Sequence, residues 1–390
     1  MRKETLSSRQ RVLKALNHEE PDRMPIDLGV HFSTGISAFA YWRLREYLGF
    51  STDQIEMADC VQLLARVDLD IAERFHVDTV LLNPPWPRTH IWRPRPPFHF
   101  LVPETFRPEQ QKDGAWVSKG LSSSKSDDFH TNEEKSFMPS GGFFFDGAWP
   151  DYFALSPEDK LEYFAKRGEQ LRKETDKFTM HMGYGAFFGD LEFACDMLTD
   201  PEMCKERNAK ALENQIQSFD RMNKRMGQFV DAIEVNSDLG TQNALMCTPD
   251  SYEEICYPYL KAFCEHVHNT SEIKIFMHSC GSIADALPFI VDAGVDAINP
   301  VQISARNMNP LMLKEKFGNK ISFWGGGCDT QSILWQKTPE EVSRHVKETV
   351  ETFKPGGGFV FNQVHNIMGN VPPENIVAML DTAYENSFYE

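Results

Sequence analysis

From residue 178 onward, short apolar runs alternate with stretches of helical spacing. The runs cover 178–183, 229–235, 273–277, 295–301, 321–324 and 359–361. Between them, 191–226 reads as two helical segments broken near Pro201, and 248–268, 283–291, 338–353 and 373–385 read as helices. Ser156-Pro157, Thr248-Pro249 and Thr338-Pro339-Glu340-Glu341 are helix starts, each with a hydroxyl cap followed by proline. The last adds a Thr-x-x-Glu capping box. Apolar runs without alternation are typical of strands covered on both faces. Upstream, the spacing predicts helices over 7–17, 37–48 and 60–75, and extended pieces over 24–29 and 77–83. Strands alternating with helices imply an α/β fold with a parallel sheet, either closed or doubly wound.

Polar residues decide between these. Asp238, His278, Cys280, Asn299, Gln302, Cys328, Asp329, Gln363 and His365 all fall just after strands. No GxGxxG or Walker-type phosphate loop follows any strand, which weakens the open nucleotide-binding sheet. In a (β/α)8 TIM barrel the strand ends form the rim that carries active sites. The expected fold is therefore one barrel domain over 1–390, with an N-terminal extension. Residues 84–150 form an insertion, rich in proline and aromatics (RPRPPFHF, SGGFFFDGAW) around a polar stretch at 122–135. The segment holds too little apolar material for a core of its own, and long loops of this kind often carry function.

Composition narrows the class. A formal charge of −17 argues against nucleic acid and against anionic lipid surfaces. Eight cysteines occur without a CxxC pair, as expected of reduced thiols in a cytosol. The N-terminal stretch has no apolar signal region, and no run of eighteen apolar residues occurs, so a cytoplasmic, non-membrane protein is expected.

The chemistry centres on His278 and Cys280. Two residues apart at a strand end, they point the same way. Imidazole and thiol together suit zinc; the plainer alternative is a buried core pair. Cys328, two units later, is expected as a third metal ligand, with Glu234, Asp238 or an open position as the fourth. Asp238 and His365 are the candidate catalytic residues, although Asp238 could equally cap its loop. Asn299, Gln302 and Gln363 are expected to contact substrate. Asp329 reads as a turn cap, and His31 and His181 are weaker candidates.

Several long motifs carry a family resemblance: RQRVLKALNHEEPDRMPIDLG, GGFFFDGAWP, SDLGTQ, HSCGSIADALPFIVDAGVDAINPVQ, FWGGGCDTQ and PGGGFVFNQVHNI. The chain resembles the uroporphyrinogen decarboxylase superfamily, specifically its corrinoid-dependent methyltransferase branch. The resemblance implies a (β/α)8 barrel, a zinc held by His-x-Cys and a further Cys, and cobalamin supplied by a partner corrinoid protein. It implies methyl transfer from a small methylated substrate such as an aryl methyl ether (an O-demethylase reaction) or a methylamine. In the thiol-directed members of the branch this chain resembles, the further Cys lies in a Pro-Gly-Cys-Gly loop. Here that loop is Pro355-Gly356-Gly357-Gly358, so that either Cys328 substitutes or the zinc site is lost. The arginine-rich stretch with which the decarboxylase grips propionates has no counterpart, since 22–27 carries one Arg. Decarboxylation, or a non-catalytic barrel binding a corrinoid or small ligand, are the alternatives. Formation of a homodimer is left open.

Overall fold

The computed structural model describes residues 4–121, 133–147, 152–153 and 155–389. Six parallel strands make one sheet in chain order: β1 (Met180–Gly185), β2 (Ala232–Asn236), β3 (Lys274–His278), β4 (Ala297–Asn299), β5 (Ser322–Trp324) and β6 (Phe359–Val360). Two extended segments fill the gap between β6 and β1. Ile26 bridges Phe361 and Thr79 bridges Phe178, both parallel, and the Asp78 amide donates to the Ile26 carbonyl at 2.7 Å. Hydrogen bonds thus run through eight chain segments in a ring, as in a (β/α)8 barrel.

Alternation along the strands sorts the core into two. Phe178, Met180, Ala232, Phe276, Ala297, Trp324 and Val360 cluster inside the ring with Val12 and Leu16 of the helix Ser8–Leu16, which closes the base. Ile233, Ile275, Met277, Ile298, Phe323 and Phe361 face the other way, into the larger core shared with the helices. At the base, Arg11 and Arg23 converge on the buried Asp78 at 2.6 and 2.7 Å. Gly358 donates to the Ala15 carbonyl there, at 2.9 Å.

The expected helix over 60–75 is present only as Leu69–Arg74, preceded by the hairpin Met57–Asp59/Leu64–Ala65. The Asp59 carboxylate takes the amides of Val61 and Gln62, and Leu63 adopts φ 53°, so the chain turns where the periodicity would continue. The stretch 248–268 is two helices, Pro249–Ile255 and Tyr257–Thr270. Pro258 cannot donate to the preceding turn, which accounts for the break. A helix at Pro310–Phe317, capped by Asn309, was not apparent from periodicity in so short a segment.

The insertion folds as antiparallel pairs, Thr89–Trp92 with Phe100–Pro103 and a four-stranded sheet that includes Trp116–Leu121 and Glu133–Met138. Its Trp92, Phe100, Phe106, Met138 and Phe145 join the main core, and the Phe145 amide donates to the Val61 carbonyl at 2.7 Å. Most of the polar stretch 122–135, and the end of the aromatic run at Ala148, Trp149 and Pro150, lie outside the described residues. Among the described residues no helix is long and apolar enough to cross a membrane.

Candidate metal centre

Phe276 and Ala297 point into the ring, so His278 and Asn299, two residues further along their strands, point into it as well. They stand in register, with Asn236 opposite His278 and His278 opposite Asn299. His278 is 5% exposed. Its Nδ1 lies 2.8 Å from Asn299 Oδ1, and its Nε2 lies 3.5 Å from the Cys280 sulfur. Cys280 has left the strand, and its loop is held from two sides. The Asp238 carboxylate accepts the Cys280 amide at 2.9 Å, and Gln302 Oε1 accepts the Gly281 amide at 2.8 Å.

His365 completes the group. One donor atom from each of His278, Cys280 and His365 lies within 4.8 Å of the others. His365 has φ 61°, an uncommon left-handed backbone for a non-glycine residue. Gln363 holds that turn by donating to the carbonyls of His365 (2.7 Å) and Thr34 (3.2 Å). The rings of His278 and His365 are 5.6 Å apart.

Two nitrogens and a sulfur fit a soft divalent metal. A tetrahedral zinc with bonds of about 2.0 Å to nitrogen and about 2.3 Å to sulfur holds two such donors roughly 3.5 Å apart, which is the His278–Cys280 separation. Three protein donors and an open position make up the ligand set of catalytic zinc. Burial lowers the pKa of His278 against the opposing pull of Asp238, and burial with His278 alongside lowers that of His365 to about 3, so both rings are neutral donors. Burial, reinforced by Asp238, pushes the Cys280 thiol up, so it keeps its proton until a metal displaces it.

Two expected ligands, Cys328 and Glu234, stand apart from this donor group. Cys328 is fully buried in the outer core, and its sulfur approaches the Asp329 carbonyl at 3.9 Å. The turn after β5, with Gly325 at φ 118° and Gly326 at φ 74°, ends the strand alternation before Cys328 and directs its side chain away from the mouth. The loop 355–358 cannot supply a ligand either, because Gly357 packs on the Glu19 backbone at the base. Glu234 accepts from His31 at 2.9 Å, from Asn236 at 3.0 Å and from the Gly183 amide at 3.1 Å, and stands outside the donor group. Burial raises its pKa, but His31 beside it and the hydrogen bonds from His31 and Asn236 outweigh that and hold it below the usual range.

The three expected substrate contacts are each engaged by protein partners. Asn299 and Gln363 are fully buried against protein partners. Gln302 ties loops together, with its Nε2 on Gln242 at 2.8 Å. Asp238 keeps an exposed face, with its side chain 56% accessible and Oδ1 3.6 Å from His278 Nε2. Ser33 was missed in the sequence; the only available signal was its place beside His31, just after the first extended segment.

The sequence profile of uroporphyrinogen decarboxylase (URO-D) matches residues 191–386, just over half of the 390. The chain belongs to the uroporphyrinogen decarboxylase family. Its matched span includes β2 to β6 and all three donors. Curated relatives within the family are uroporphyrinogen decarboxylases. That of Vesicomyosocius okutanii subsp. Calyptogena okutanii is 31% identical over 72 residues, 18% of this chain and 20% of its own. That of Psychromonas ingrahamii is 22% identical over 178 residues, 43% of this chain and 48% of its own. The chain thus spans less than half the length of these relatives. A methyltransferase from Methanosarcina mazei has the same fold, with TM-score 0.56 and 14% identity over 98% of this chain and 99% of that one.

Proposed function

We propose that this family member is a methyltransferase that moves a methyl group from a small methylated compound to the cob(I)alamin of a partner corrinoid protein, with zinc held by His278, Cys280 and His365. The observation that carries this reading is the convergence of two imidazoles and a thiol at the barrel mouth, beside an exposed carboxylate. The full-length fold likeness to a methyltransferase supports it. Zinc, when bound, supplies Lewis acidity toward the oxygen or nitrogen that carries the methyl group.

The protein's own part is to bind and to place charge. His278, Cys280 and His365 would hold the metal with three protein donors, and the fourth position of a catalytic zinc would be available to the donor's heteroatom. As the carbon–oxygen or carbon–nitrogen bond breaks and the methyl carbon joins cobalt, the departing heteroatom needs a proton. Asp238 faces the mouth and handles that proton. Aryl methyl ethers and methylamines are the donors considered, because both have leaving groups that need such help.

Decarboxylation is the other reading, and the curated relatives favour it. It requires cationic clamps for propionates at the mouth. Arg11 and Arg23 of the N-terminal segment are instead buried at the base on Asp78. The charged side chain that faces His278 at the mouth is the carboxylate of Asp238, 3.6 Å from its Nε2. Methylation of cob(I)alamin, followed by its absorbance across a panel of methyl ethers and methylamines, tests the proposal. Release of CO2 from uroporphyrinogen with cob(I)alamin left unmethylated by every donor would reject it.

A further inference from the structure

The mouth contains a hydrogen-bonded chain that reaches the back of His278 and takes no part in holding the metal. Asn299 Nδ2 donates to the Trp324 carbonyl at 2.9 Å, which fixes the amide and leaves Oδ1 facing His278 Nδ1 at 2.8 Å. Ser33 Oγ, arriving from the loop after the first barrel segment, donates to the same Oδ1 at 2.6 Å. Ser33 is held in turn by its own amide, which donates to His31 Nδ1 at 3.0 Å, while His31 Nε2 donates to Glu234 at 2.9 Å. All of these groups are buried.

An amide oxygen can only accept. With Oδ1 committed to His278, the proton of that imidazole must sit on Nδ1, and the Nε2 lone pair points at Cys280. The Cys280 sulfur lies 3.5 Å away, where a thiol hydrogen would meet that lone pair. Left alone in water, an imidazole exchanges between its two tautomers, and only one of them presents Nε2 to a metal.

We infer that Asn299 and Ser33 are positioning residues that lock His278 in its Nδ1–H tautomer, so that Nε2 is a ready metal donor before any metal arrives. Substrate contact is not their role. Glu234 and His31 extend the lock by fixing Ser33. The statement about metal rests on the zinc reading above, whereas the statement about the tautomer does not. Partners of this kind typically change metal affinity by about 10–100-fold.

Two readouts keep these statements apart. In metal-free protein labelled with nitrogen-15 histidine, the His278 ring signals are identified by their loss in His278→Gln. They should report a single Nδ1–H tautomer in the parent and a mixture in Asn299→Leu. Zinc affinity, measured by chelator competition, should fall about 10–100-fold in Asn299→Leu and less in Ser33→Ala, and Asn299→Asp, which keeps an acceptor, should restore both readouts. If Asn299→Leu does not fold, Ser33→Ala and Asn299→Asp still carry the test. A parent with the Nε2–H tautomer, or an Asn299→Leu and a Ser33→Ala that both keep the parental tautomer, overturns the inference. A parent with the expected tautomer that binds no zinc removes the metal reading and leaves the lock in place.

Discussion

The sulfur of Cys280 lies 3.5 Å from Nε2 of His278, although one residue ends a strand and the other begins a loop. The closeness depends on Asp238 and Gln302, which hold the amides of Cys280 and Gly281. Replacing Cys280 by Ser exchanges a soft thiolate for a weak hydroxyl ligand, and bound zinc should drop sharply with the fold intact. Cys328→Ser should retain the parental zinc content, because that sulfur is in the outer core. Metal analysis of the two purified variants checks this; equal loss in both would reinstate Cys328.

His365 should matter as much as Cys280 for metal. His365→Ala leaves one nitrogen and one sulfur, too few donors for a stable zinc site. Gln363→Leu frees the left-handed turn that carries His365 and should weaken zinc binding less than His365→Ala does. Chelator competition on both variants measures the order, and a Gln363→Leu weaker than His365→Ala would contradict it.

Zinc loading should also depend on pH in a definite sense. The Cys280 thiol is held up by burial, so each zinc must displace its proton. Apparent affinity should fall about tenfold per pH unit on acidification, with one proton released per zinc bound. Calorimetry in buffers of different ionisation enthalpy counts that proton.

Asp238→Asn keeps an oxygen for the Cys280 amide but cannot exchange a proton. Metal content should stay parental while methyl transfer slows by about 10²–10⁴-fold, most for donors with the poorest leaving groups. A rate drop that is the same for every donor would argue against a proton role.

Two predictions concern the fold. Asp78 accepts from Arg11, Arg23 and the Ile26 amide at 2.6, 2.7 and 2.9 Å, deep in the base. Asp78→Ala removes the buried carboxylate shared by both guanidinium groups, leaving Arg11 on Asp22 and Glu4 and Arg23 on Glu4 alone, and should cost about 3 kcal/mol in urea unfolding.

His181 is pushed down to about 4 by burial, and its Nδ1 has no hydrogen-bond partner among the described residues. Unfolded, the ring binds its proton near 6.5. The unfolded chain therefore takes up the proton first as pH falls. Stability is full above pH 6.5 and declines toward pH 4, by about 3 kcal/mol from this ring. Urea midpoints between pH 7 and 4.5 should be flatter for His181→Leu than for the parent.

Much of this protein could be read one segment at a time. The closing helix spans Pro373–Glu385 as its spacing predicts, and Thr338 forms its capping box with Glu341. These are local features, set by 3.6-residue periodicity and by groups three residues apart. The pairing of His278 with Cys280 was local only in part: spacing two apart suggested it, but the strand ends at His278, and Asp238 and Gln302 from other loops hold the Cys280 turn in place.

The third donor was decided only by tertiary structure. Cys328 and His365 each follow a strand, and alternation ranks neither above the other. Beyond a strand's end, direction depends on the turn. Gly325 and Gly326 rotate Cys328 out of the mouth, while Gln363, bound to the Thr34 carbonyl from the far end of the sequence, holds His365 in. The same holds for Asn299, whose amide looked available to substrate until Trp324 and Ser33 were brought against it from 25 and 266 residues away. A side chain's hydrogen-bonding capacity is set by its covalent structure; which partner uses that capacity is set by which distant segments the closed ring brings together.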